Sequence, residues 1–221
     1  MIKAVIFDLD GTLIDSEPNY YLGDKAFLEH FGVTYTLDQY HQFVGVGGVG
    51  FLKWAKNEYK IPDDIKKLTK MKDDLYLKFA RKNTQIFPVM LDLLNWLESK
   101  NMPMAIASGS TPSIIKEMLK ITKSEHFFKI LISSHEVKKG KPAPDVFIET
   151  ALRLRVDPTD CLVFEDSQYG VQAAKAAGMK CIGIPTVIKD KLSAPFYKAD
   201  LLFEKGISTV NLDIIKKTFF K

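Results

Sequence analysis

Cysteine is nearly absent from this chain: 221 residues hold only Cys161 and Cys181, with no C-x-x-C pair and no Cys/His spacing suited to a metal. That excludes a disulfide framework and a structural zinc site. Each cysteine opens a short apolar run, so two reduced core thiols in a cytoplasmic protein are expected. Long hydrophobic runs are missing too. The first apolar stretch carries one lysine and is cut short by Asp8, so neither a signal peptide nor a membrane span is expected. No long basic block occurs either. The formal charge of +4 is spread over 31 Lys and Arg against 27 Asp and Glu, which gives no support to a nucleic-acid partner. What remains is an ordinary globular composition, 46% hydrophobic and 26% charged, long enough for a large domain or a domain with an insertion. Nothing specifies an oligomer, and a monomer is the default expectation.

The most informative stretch is VIFDLDGTLID, from Val5 to Asp15. Ala4, Val5, Ile6 and Phe7 are apolar without helical period, as in a strand buried on both faces. The run stops on Asp8 and Asp10, two residues apart, so in extended backbone both side chains project the same way. At ~4 Å and an effective dielectric near 20, their repulsion would be roughly 4 kcal/mol. Such a pair calls for a proton or a hard divalent cation held by oxygens. The plain alternative is an acidic turn in which Gly11 supplies a positive φ.

Residues 16–85 read as helix without strand. Ser16 is a candidate N-cap, Pro18 suits a first turn and Gly32 ends the stripe; Thr36 caps a short helix over 36–44. The glycine run over 45–50 follows a helical segment and lacks a βαβ setting, so a loop at a ligand mouth is expected rather than a dinucleotide site. Helical spacing resumes over 51–59 and 62–82. From Pro88 onward helices alternate with strands over 104–107, 130–132, 162–164, 182–184 and 201–203. This alternation predicts an α/β fold, a doubly wound parallel sheet with helices on both faces. Right-handed crossovers then gather the strand ends at one edge. Asp8, Asp10, Ser108, Glu165 and Asp166 fall there, and Lys141 lies in a proline-flanked loop nearby. Each has an ordinary structural explanation: an N-cap for Ser108, a solvated charge for Lys141, a helix-start acid for Glu165 and Asp166.

Taken together and in this order, Asp8-Leu9-Asp10-Gly11-Thr12, Ser108 after its strand, Gly140-Lys141-Pro142, and Glu165-Asp166-Ser167 followed by Gly170 make the chain resemble the haloacid dehalogenase superfamily, in the group of β-phosphoglucomutase and small phosphatases. The resemblance implies a Rossmann-like core of residues 1–15 and 86–221 carrying an inserted helical cap of residues 16–85. It further implies Mg²⁺ as cofactor, a small phosphorylated metabolite (sugar phosphate or nucleotide) as substrate, Asp8 as nucleophile and Asp10 as general acid and base. Asp8, the Asp10 carbonyl and Asp166 would hold the ion with Glu165 adjacent or bound through water, and Thr12, Ser108 and Lys141 would hold phosphoryl oxygens.

Asp10 argues against a dehalogenase or a phosphonate hydrolase, which the resemblance implies would lack it. The mutases of this group carry a cap histidine and a cap-loop arginine where this chain has Tyr20 and Gly48, although Lys72 matches a cap lysine. A bisphosphate intermediate needs such a second cationic grip, so transfer to water is favoured over phosphoryl transfer of the mutase type. A weakly catalytic binding or regulatory member is the other alternative. Val89 also departs from the glycine that many relatives carry after the proline, with only a local backbone effect expected.

Overall fold

The computed structural model describes residues 1–44, 46–186 and 191–220. Among these, six strands form one parallel sheet in the order β3-β2-β1-β4-β5-β6. The strands are β1 (Ala4–Phe7), β2 (Met104–Ser108), β3 (Ile130–Ser133), β4 (Cys161–Glu165), β5 (Lys180–Gly183) and β6 (Leu201–Leu202). The expected doubly wound α/β fold is therefore present, and the side chains show why. Along β1, Val5 and Phe7 enter one core while Ala4 and Ile6 enter the other; along β4, Leu162 and Phe164 alternate with Cys161 and Val163 in the same way. Phe7 stacks on Phe164 at 5.0 Å between ring centroids, which locks the two central strands together.

One face is covered by α5 (Pro88–Ser99), α6 (Pro112–Ile121) and α9 (Leu212–Phe219), the other by α7 (Asp145–Leu154) and α8 (Gln168–Ala176). The thiols of Cys161, which opens β4, and Cys181, the second residue of β5, are free and buried. No helix among the described residues is long and apolar enough to cross a membrane.

Between β1 and α5 the chain is helical: α1 (Glu17–His30), α2 (Leu37–His41), α3 (Gly48–Tyr59) and α4 (Ile65–Asn83). These helices have their own core of Phe27, Leu28, Tyr35, Phe51, Leu52 and Leu68. Gly23 lets α1 and α4 approach closely, since a Cβ there would lie 3.0 Å from Tyr76 Cα. Thr36 caps α2 with a reciprocal Gln39 partner, as its sequence suggests.

Three local expectations fail. Ser16 precedes α1 but makes no side-chain cap bond, and its buried hydroxyl has no partner. The short helix ends at His41 rather than residue 44. The glycine run is not a loop throughout: α3 starts at Gly48, behind Gly47 at φ +82°, because a helix's first turn tolerates glycine when the preceding residue can adopt a positive φ. Gly45 lies outside the described residues.

Candidate active site

β1 sits in the middle of the sheet, with β2 on one side and β4 on the other, and the residues that follow these strands at their C-terminal ends share one edge. Asp8 continues the ladder through its N–H to Phe164 O (2.9 Å), so its carboxylate is held at the sheet's end, 6% exposed. Lys141 reaches it from the loop after β3. Its ammonium donates to Asp8 Oδ1 (2.6 Å), Glu165 Oε1 (2.5 Å) and Ala107 O (3.0 Å), which uses all three protons.

Two carboxylates face one ammonium here. Burial pushes Asp8 up to about 8, against the pull of Lys141. Burial alone would lower Lys141, but Asp8 and Glu165 outweigh it and raise it. Asp166 is pushed well above the usual carboxylate range by burial and then by the charges of Glu165 and Asp8.

Asp10 is raised by burial and eased by a hydrogen bond from Ser110 Oγ to Oδ2 (2.6 Å). Its Oδ1 is buried with no partner. Ser110 spends its only proton on Asp10, so Tyr20 must donate to Ser110 Oγ across 2.7 Å. Ser108 Oγ accepts from the Ser110 N–H (3.0 Å) and keeps its own proton free. Ser108 is not a helix N-cap: Thr111 fills that role for α6.

A cavity of about 150 Å³ joins these groups to the helical layer; Asp8, Asp10, Ser108, Lys141 and Asp166 line it, as do Tyr20, Gly48 and Lys72. Tyr20 stacks on Tyr76 at 4.1 Å. Gly48 contributes backbone only. Lys72 is paired with Asp24 at 2.8 Å, both side chains 6% exposed.

Two expected site residues stand elsewhere. Thr12 is fully buried, and its hydroxyl donates to Asp166 Oδ1 (3.3 Å) rather than lining the cavity. Glu165 is fully buried as well. Its Oε1 accepts from Lys141 and its Oε2 from the Ser167 N–H (2.9 Å) and hydroxyl (3.0 Å). Gly170 makes room for it, because a Cβ there would come within 1.8 Å of the Glu165 carboxyl.

Sequence reading missed Ser110, Thr186, Glu17 and Asp24. The hydroxyl of Thr186 donates to Asp166 Oδ2, and no motif marks it. Glu17, Tyr20 and Asp24 were findable as polar residues at helical spacing on one face of α1.

Among the described residues no three His, Cys, Asp or Glu side chains converge as a ligand set. The donor chemistry nonetheless suits Mg²⁺, which keeps several waters and takes only one or two carboxylates beside substrate oxygens. Three buried carboxyl groups, Asp8, Glu165 and Asp166, and the half-buried Asp10 cluster around one ammonium, that of Lys141, which pairs with only Asp8 and Glu165, and one Asp10 oxygen has no partner. Gly11, at φ +75°, keeps the approach to Asp166 open: a Cβ would sit 2.5 Å from Asp166 Oδ2.

Comparison with known proteins gives a consistent picture. Residues 5–184 match the family model of the haloacid dehalogenase-like hydrolases. The chain is 34% identical over 192 residues to a bifunctional riboflavin kinase/FMN phosphatase of Arabidopsis thaliana, with 85% of this chain aligned but only 49% of that protein's length. It is 31% identical to a phosphorylated carbohydrates phosphatase of Thermotoga maritima, across 82% of this chain and 84% of that one. A solved HAD hydrolase from Entamoeba histolytica superposes over the full length of both chains with a TM-score of 0.84 at 23% identity, a likeness of fold.

Proposed function

The chain belongs to the haloacid dehalogenase-like hydrolases, and from that premise we propose that it is a Mg²⁺-dependent phosphomonoesterase working through an aspartyl phosphate on Asp8, with residues 16–85 as a cap over the site. The observation that carries the reading is the cavity that presents Asp8, Asp10, Ser108 and Lys141 together. Asp8 is the nucleophile: its Oδ attacks phosphorus, forming the Asp8–phosphoryl bond and breaking the bond to the ester oxygen. Asp10 gives its proton to the departing alkoxide, which leaves as an alcohol. Burial favours the protonated form that this step needs. Asp10 then takes a proton from water as that water's oxygen attacks phosphorus, releasing inorganic phosphate and restoring the Asp8 carboxylate.

Ser108 has a free proton for a phosphoryl oxygen, and Lys141 holds Asp8 in line while offsetting its charge. Asp8, Asp166 and the Asp10 carbonyl would hold the Mg²⁺, with Thr12 and Thr186 fixing Asp166. When bound, the ion relieves the clustered negative charge and stabilises the phosphoryl oxygens.

A mutase would need a second cationic grip within the cap. Tyr20 is engaged with Ser110, Gly48 has no side chain, and Lys72 is already paired with Asp24. Water is therefore the favoured acceptor. The test is phosphate release from p-nitrophenyl phosphate with Mg²⁺, without Mg²⁺, and after adding Ca²⁺, whose looser coordination misplaces Asp8. Release should require Mg²⁺, fall in Ca²⁺ and vanish in Asp8→Asn protein of unchanged circular dichroism. Comparable turnover by pure Asp8→Asn protein would falsify the covalent route.

A further inference from the structure

Resting on the phosphomonoesterase reading, we infer that the cap wall of the cavity selects esters whose leaving group is a small, uncharged polyhydroxyl alcohol, and rejects leaving groups that carry a second anion. Opposite the nucleophile this wall presents three carboxyl groups, Glu17, Asp24 and Asp73, and one ammonium, that of Lys72. The ammonium is committed. It lies 2.8 Å from Asp24 Oδ1 and sits over the rings of Tyr20 (4.9 Å) and Phe51 (5.6 Å). A phosphate or carboxylate on the leaving group would have to compete with Asp24 for that one ammonium, weakening the pairing of a buried acid, which is costly. It would also face Glu17 and Asp73.

The acids suit hydroxyl donors instead. Glu17 already accepts from the Tyr40 hydroxyl and Asp73 from the Thr111 hydroxyl (2.7 Å). Alcohol hydroxyls extend this pattern without a charge. A short alkylammonium is drawn to the acids but presents one donor group and can meet only one of them, whereas a polyol presents several hydroxyls.

Binding tests this separately from turnover. Asp8→Asn protein with Mg²⁺ is titrated calorimetrically with sorbitol 6-phosphate, 2-phosphoglycolate, fructose 1,6-bisphosphate and phosphoethanolamine. Sorbitol 6-phosphate should bind at least tenfold more tightly than each of the others. Adding Asp24→Asn, which frees Lys72, should shrink its advantage over 2-phosphoglycolate by tenfold or more. If that double variant does not fold, Glu17→Gln in the same background should shrink it by a smaller factor. Equal or tighter binding of 2-phosphoglycolate or the bisphosphate before any cap substitution overturns the inference. So does tightest binding of phosphoethanolamine, and so does no binding of sorbitol 6-phosphate. Failure of the unsubstituted protein to release phosphate from p-nitrophenyl phosphate would instead strike the hydrolase reading, with the binding ratio still read on its own.

Discussion

Tyr20 on α1 and Asp10 beyond β1 are joined through one hydroxyl: Tyr20 donates to Ser110 Oγ at 2.7 Å, and Ser110 donates to Asp10 Oδ2 at 2.6 Å. The proposed acid–base group therefore feels the helical layer through two short bonds. Because the Ser110 bond lowers the pKa of Asp10, Ser110→Ala should raise it. A hydrogen bond to a charged group contributes about 1.5–3 kcal/mol, equivalent to roughly one pH unit or more. The alkaline limb of kcat/KM, where protonated Asp10 is lost, should move up by about that much. Tyr20→Phe keeps the stacking on Tyr76 and should move it less. An unchanged profile in Ser110→Ala would remove Asp10 from the acid's role.

Lys141 should matter to stability as much as to turnover. Its removal strands Asp8 and Glu165 in a dry site, and breaking a buried pair costs about 3–5 kcal/mol. Urea unfolding of Lys141→Met at neutral pH should show a loss of that order. Adding Glu165→Gln should recover part of it, since the two changes touch one network.

Gly170→Ala tests the packing around Glu165. In most helix positions alanine is favoured over glycine by up to ~1 kcal/mol. Here the new methyl would overlap the Glu165 carboxyl at 1.8 Å, so a net loss of ~1–3 kcal/mol is expected from overpacking. The free energy from denaturant midpoints decides the sign.

Glu17 sets a pH dependence of stability. Burial raises it from 4.5 to about 7 against the Tyr40 hydrogen bond. Between those values the folded chain holds a proton that the unfolded chain has released, so this group's contribution falls as pH rises through the window. It is fully present below about 4.5 and lost above about 7. Plotted against pH, the stability difference between Glu17→Gln and the unsubstituted protein should change in favour of the variant across that interval and be flat outside it.

The sheet was legible because its signals are local. Ala4 to Phe7 is an unbroken apolar run ending on Asp8, and helix–strand alternation after Pro88 implies a parallel sheet whose right-handed crossovers gather the strand ends at one edge. The same logic brings Asp8, Ser108, Lys141 and Asp166 to one edge. Glu165 and Thr12 share that edge, yet neither lines the cavity, because side-chain direction depends on neighbours far along the chain, Lys141 for one and Asp166 for the other. The pairing of Lys72 with Asp24 and the hydroxyl of Thr186 on Asp166 arise only when distant segments meet. No spacing rule within one helix or loop encodes them.

The central place of β1 has a consequence for the newborn chain. Asp8 directly follows β1, whose neighbours in the finished sheet, β2 and β4, are both made later, and its counter-charge Lys141 lies 133 residues downstream. At synthesis rates of about 5–20 residues per second, β1 waits roughly 10–30 s for β4 to leave the ribosome. Throughout that wait Asp8 is a solvated, ordinary carboxylate, while the helices that follow it can already have closed around Phe27 and Leu52. The proposed nucleophile is thus made well before the charge that balances it.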